Sequence, residues 1–172
     1  MGTVNGLPAH ILLVHAIVVL LPLAALLLVL TAVWPAARRR LAGPNAILSV
    51  LVVALVPVTT SAGEWLEHRV DETALLRDHT ELGDTAIWVA LPVAILALVI
   101  WWRQREAPTG VSDAAQRRTY LAPLSTTVTT VITVLAVVFA GAAVYDTYRI
   151  GDSGSKAAWT DNFSSTPTPD GP

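Results

Sequence analysis

The chain predicts an all-α integral membrane four-helix bundle with both termini outside. Three observations carry that prediction: four apolar runs long enough to cross a hydrocarbon core, a first run with no charge on any face, and arginines grouped in alternate connections. Hydrophobic residues make up 53% of the 172 and charged residues 14%, with a mean hydropathy of +0.58, which is high for a water-soluble domain of this size.

The first span is expected over 10–34, the second over 45–64, the third over 85–102 and the fourth over 124–145. Each supplies roughly the 17–25 mostly apolar residues a bilayer crossing needs. A soluble bundle would need helices polar on one face, and 11–33 carries no charged residue at all. The segment Met1–Leu7 has no Lys or Arg, and the run after it is too long for a signal core, so it reads as a retained span.

Orientation follows from arginine. Arg38, Arg39 and Arg40 separate spans one and two, and Arg103, Arg105, Arg117 and Arg118 separate spans three and four. The positive-inside rule places both connections in the cytoplasm. The remaining connection carries Glu64, Glu67, Asp71, Glu72, Asp78, Glu81 and Asp84 against Arg69 and Arg77, and is the outer one. The expected location is the cell membrane, multi-pass.

Pro22, Pro57 and Pro92 fall inside spans, where freed carbonyls and kinks are tolerated if neighbouring helices satisfy the backbone; they are read as bundle shape rather than as a hinge. Pro123 suits a first helical turn. In span four, Ala136 and Ala140 set a small-xxx-small spacing for close helix contact, continued by Gly141 and Ala143. Residues 1–150 thus form the membrane domain. The tail 151–172, rich in Ser, Thr, Pro and Gly, is expected to be disordered outside it.

Several function classes are excluded. A net charge of −2 with no basic stripe argues against a nucleic-acid partner. Cysteine is absent and Met1 is the only methionine, which removes disulfides, thiolate and thioether ligands, and haem attachment through Cys-x-x-Cys-His. Any metal must be held by His, carboxylate or Tyr. The span centres carry no ionisable residue, so a midplane transport site is not visible.

What chemistry remains lies in the four histidines, His10, His15, His68 and His79, all at the outer ends of spans. Counting 1.5 Å per residue from the inner ends puts His15 and Glu64 each at about 29 Å, with His79, His68 and His10 at about 34–36 Å. Tyr145 and Asp146 fall at about 32–33 Å. Groups from all four spans therefore share one depth. Glu64 and His68, four apart, share a helix face, whereas His10 and His15 are about 140° apart. Each of these side chains, taken singly, also suits an ordinary interfacial role as a cap or a headgroup contact.

Gly6-Leu7-Pro8-Ala9-His10 followed by Val14-His15 resembles the opening of a family of small bacterial four-span membrane proteins, the domain-of-unknown-function family numbered 2231. Ser61-Ala62-Gly63 leading to Glu64-Trp65 is similar to the end of that family's second span, usually Asp-Trp, and His79 with Leu82-Gly83 fits its third element. Ile11 and Ala16-Ile17 depart from the common pattern of Pro and Phe-Pro. The resemblance implies the fold and the position of the site but carries no established activity.

Two readings of the cluster follow. In the first it is a redox or metal site. His15, His79, His10 and His68 are then the candidate ligands for haem b, and His15, Glu64 and His79 those for a divalent metal. In the second the protein is a non-enzymatic structural or accessory subunit whose polar cluster ties the helix ends together. The expected partners are the lipid bilayer and, beyond it, a second copy of the chain or a membrane redox protein.

Overall fold

Four helical segments, Ala9–Val33, Pro35–Glu67, Ala74–Glu106 and Thr126–Trp159, are long and apolar enough to cross a membrane. The structure, a computed structural model, describes residues 2–107 and 120–161. In chain order the helices are α1 (Ala9–Val33), α2 (Pro35–Glu67), α3 (Ala74–Gly83), α4 (Ala86–Glu106) and α5 (Thr126–Trp159). They run up and down. α1 packs on α2 and α5, α4 closes the ring against the same two, and α3 leans on α5 at the histidine end.

The core is built from small and medium side chains: Leu21, Ala24, Ala25 and Leu28 of α1, Val52 and Val56 of α2, Val93 and Ala97 of α4, and Ala136, Ala140 and Ala143 of α5. Large apolar side chains face outward, among them Leu26, Ile47, Leu51, Trp88, Ile95 and Val138. A soluble protein inverts this pattern. In lipid there is no hydrophobic gain from hiding leucine, so close backbone approach at alanines supplies the packing instead. The stripe Ala136-Ala140-Ala143 faces the core as its spacing predicts.

One buried polar link crosses the bundle. Asn45 is fully buried, and with its amide oriented to suit its neighbours it donates to the Ala24 carbonyl at 3.3 Å and accepts from the Leu28 N–H at 3.2 Å. It pins α2 to α1 where an unpaired amide would be costly.

Four features depart from the sequence expectation. Arg38, Arg39 and Arg40 lie in a helix rather than a loop, because α2 begins at Pro35 and Trp34 alone forms the corner. Pro35 needs no N–H partner in the first turn. Arg38 spans the corner, donating through Nε to the Thr31 carbonyl at 2.8 Å and through Nη2 to that of Ala32, and so caps the open end of α1. Second, α5 continues to Trp159, so 151–159 is helical where disorder was expected; 162–172 lies outside the described residues. Third, Thr3–Val4 and Leu7–Pro8 pair as antiparallel strands β1 and β2 across Asn5-Gly6, both at positive φ (51° and 82°), as a two-residue primed turn requires. Fourth, α3 and α4 are separate helices. Thr73 caps α3 by accepting the Leu76 N–H at 3.1 Å, and the chain breaks at Asp84–Thr85 before α4.

The segment entering α5 holds one strained residue. Ala122 sits at φ 43°, a left-handed conformation that costs an alanine about 1–2 kcal/mol. Ala122→Gly should therefore stabilise the protein by about 0.5–1 kcal/mol, read as a higher unfolding midpoint in detergent. An unchanged or lower midpoint would show that the turn carries no such strain.

Candidate functional site

At the end of the bundle where α1 and α5 meet α3, two histidines come together. The imidazoles of His10 and His79 stand with ring centres 6.3 Å apart, nearly perpendicular at 73°. Each is half-buried and each is anchored to a different helix from its own. His10 Nδ1 lies 3.0 Å from the Thr59 carbonyl of α2, and His79 Nδ1 lies 3.0 Å from Ser153 Oγ of α5.

The carbonyl anchor fixes the tautomer of His10. A carbonyl only accepts, so His10 Nδ1 carries the hydrogen. Ser153 Oγ also lies 2.9 Å from the Ile150 carbonyl, and when its hydrogen goes there it accepts from His79 Nδ1. In the neutral state His10 Nε2 is left as a lone-pair acceptor, and so is His79 Nε2 when Ser153 bonds to Ile150. An Nδ1–H held by an oxygen acceptor is the arrangement that orients a histidine for ligation through Nε2.

Two glycines make room for these rings. A Cβ on Gly63 would lie 3.0 Å from His10 Cε1 and Nδ1, and one on Gly154 would lie 2.9 Å from His79 Cε1. Gly63 occupies the small-residue stretch at the end of α2, and Gly154 the part of α5 read from sequence as tail. Below the rings lies a cavity of about 60 Å³, lined by His10, Thr59, Thr60, His79 and Thr147 with aliphatic side chains such as Leu21 and Val56. Nearby, the buried carboxylate of Asp146 accepts from Thr85 Oγ1 at 3.0 Å, tying α5 to the α3–α4 joint.

The other candidate ligands stand apart. His15 is exposed, its Nδ1 turned back to the Ile11 carbonyl of its own helix at 2.6 Å. His68 ends α2, also exposed, with Nδ1 2.6 Å from the Glu64 backbone carbonyl. The predicted Glu64–His68 pair therefore forms through the main chain, and the Glu64 side chain is exposed. Tyr145 also faces outward, at 62% exposure. Among the described residues no group of three or more His, Asp or Glu side chains is placed to hold a metal ion. His15 and Glu64 thus share the depth of His79 without sharing its position.

Thr59, Ser153 and Gly154 contribute to the site but carried no signal in the sequence. Serine and threonine at span ends are common, and what they bond depends on the rotation of each helix. Asp146 had a signal, since the depth count places it in the histidine band.

A family model described as Predicted membrane protein (DUF2231) matches residues 6–166. No curated protein and no solved structure matches the chain.

Proposed function

The chain belongs to this family of predicted membrane proteins, and from that premise we propose that the protein is a membrane metal-binding protein in which Nε2 of His10 and Nε2 of His79 hold one divalent transition-metal ion. The observation that supports this reading is the pair of Nδ1 anchors, which hold two imidazoles at the wall of one cavity. Two imidazoles suit copper, nickel or zinc, and the cavity has room for the water or small ligand that completes the shell. A tetrahedral ion held by two imidazoles sets ring centres about 5 Å apart, so the observed 6.3 Å would close by about 1 Å on binding. A copper ion with open positions is redox-active; zinc would be restricted to binding or acid–base work.

Haem b draws no support from the other candidate ligands, since His15 and His68 are exposed and turned back to carbonyls of their own helices. The second reading, a purely structural knot, is favoured by the same anchors, since His10 ties α1 to α2 and His79 ties α3 to α5.

Metal titration of purified protein separates the two. One equivalent of Cu(II) or Zn(II) should bind, His10→Ala or His79→Ala should each weaken binding by about 10–100-fold or more, and His15→Ala and Glu64→Gln should leave it unchanged. Binding that depends equally on His15 or Glu64 would refute the two-histidine site. No binding, with lowered melting temperatures in His10→Ala and His79→Ala, would establish the structural knot.

The same reading places this end of the bundle outside the cell membrane, because the opposite end carries Arg38, Arg39, Arg40, Arg103 and Arg105. Reporter fusions after Ala107 should be cytoplasmic and those after Thr73 external. A cytoplasmic reporter at Thr73 would reverse the orientation.

A further inference from the structure

The end of the bundle opposite the histidines carries a second polar site. Arg103 of α4 is 93% buried, at 7% exposure, which is rare for a guanidinium. Its Nη2 donates to the Ala122 carbonyl at 3.1 Å, the Pro123 carbonyl at 3.3 Å and Thr129 Oγ1 at 2.9 Å. Its Nη1 is buried with no hydrogen-bond partner among the described residues. Arg103 lines a notch, open on one side, together with Arg38, Thr129, Ile100 and Ile132.

Among the described residues no carboxylate pairs directly with either arginine, and Glu106 acts on Arg103 only through space. The acid nearest in sequence, Glu106, is engaged elsewhere: it accepts from Trp102 Nε1 at 2.7 Å and from the backbone N–H groups of Tyr120 and Leu121. Arg38, for its part, spends Nε and Nη2 on the end of α1. Two guanidiniums from different helices thus face one notch with a buried donor unspent. A cation so placed calls for an anion.

We propose that Arg38 and Arg103 hold one oxygen of a phosphate-class anion in this notch. The notch has room for about 20 Å³, about one water-sized group, so it admits a single oxygen while the rest of the anion stays outside. Guanidinium forks match that chemistry. The site lies where helix ends meet headgroups, so the oxygen comes either from a phospholipid headgroup or from free phosphate. This inference does not depend on the histidine site.

Calorimetric titration of the full chain in a neutral detergent tests it, with inorganic phosphate in one arm and dihexanoyl phosphatidylglycerol in the other. Saturable one-to-one binding is expected in at least one arm. Arg103→Gln and Arg38→Gln should each weaken it about tenfold or more, the loss of a charge-assisted bond, while Arg39→Gln on the exposed side should not. Binding of the lipid alone assigns the oxygen to a headgroup, and binding of phosphate assigns it to the free anion. If Arg103→Gln does not fold, Arg38→Gln carries the test. Absence of binding in both arms, or an equal loss in Arg39→Gln, overturns the proposal.

Discussion

Arg103→Ala should be among the most damaging single substitutions in this protein. It removes three hydrogen bonds from a buried guanidinium and leaves the carbonyls of Ala122 and Pro123 without that donor. Bonds to charged groups contribute about 1.5–3 kcal/mol each, and they are not independent here, so a loss of about 3 kcal/mol or more is expected. The loss should localise. Arg103 holds the turn that carries the strained Ala122 into α5, so protease cleavage between Tyr120 and Ser125 should accelerate before the bundle unfolds. Arg103→Lys should recover only part of the stability, since the lysine Nζ ends about one bond short of the Nη2 position that makes all three contacts. Arg105→Ala, which removes an exposed cation over the Trp101 ring at 4.6 Å, should cost about 0.5–1 kcal/mol. Equal melting temperatures for the Arg103 and Arg105 variants would show that the buried arginine has no structural role.

Ala136→Leu should lower the unfolding midpoint in detergent by an amount equivalent to about 1–3 kcal/mol. Ala136 is wholly buried, in the stripe that lets α5 approach its neighbours, and an isobutyl group there must push helix backbones apart. Val138→Leu, two residues on and 58% exposed, adds similar bulk toward lipid and should change little. A matched pair on one helix separates packing from composition. If both variants melt alike, α5 does not pack through its alanine stripe.

The helix count was legible in the residues because it depends on local quantities. Length and apolarity define a span wherever it packs, and the uncharged run 11–33 excluded a soluble bundle before any contact was known. The Ala136-Ala140-Ala143 stripe was legible for a similar reason, since small side chains at helical spacing state which face can approach a neighbour. Helix ends were less so. Trp34 reduces the expected arginine loop to a single-residue corner, and α5 runs through Gly151 and Gly154 because it is supported by packing against α3 rather than by propensity.

For the site, residue order alone places histidines and acidic groups at one end of the bundle, since depth is a matter of counting residues along each helix at a fixed rise. Which of them meet is a matter of rotation about each helix axis, and that is set by how the helices pack. His15 and Glu64 have the right height and face outward, while His10 reaches Thr59 across Gly63 and His79 reaches Ser153 across Gly154. The break at Asp84–Thr85 lets α3 carry His79 inward, a placement that no count along an unbroken helix can supply. The arginine notch divides in the same way. Charge pattern put Arg38 and Arg103 at one end, but the burial of Arg103 and its unspent Nη1 arise from the packing of α4 against α5 and the turn beside it.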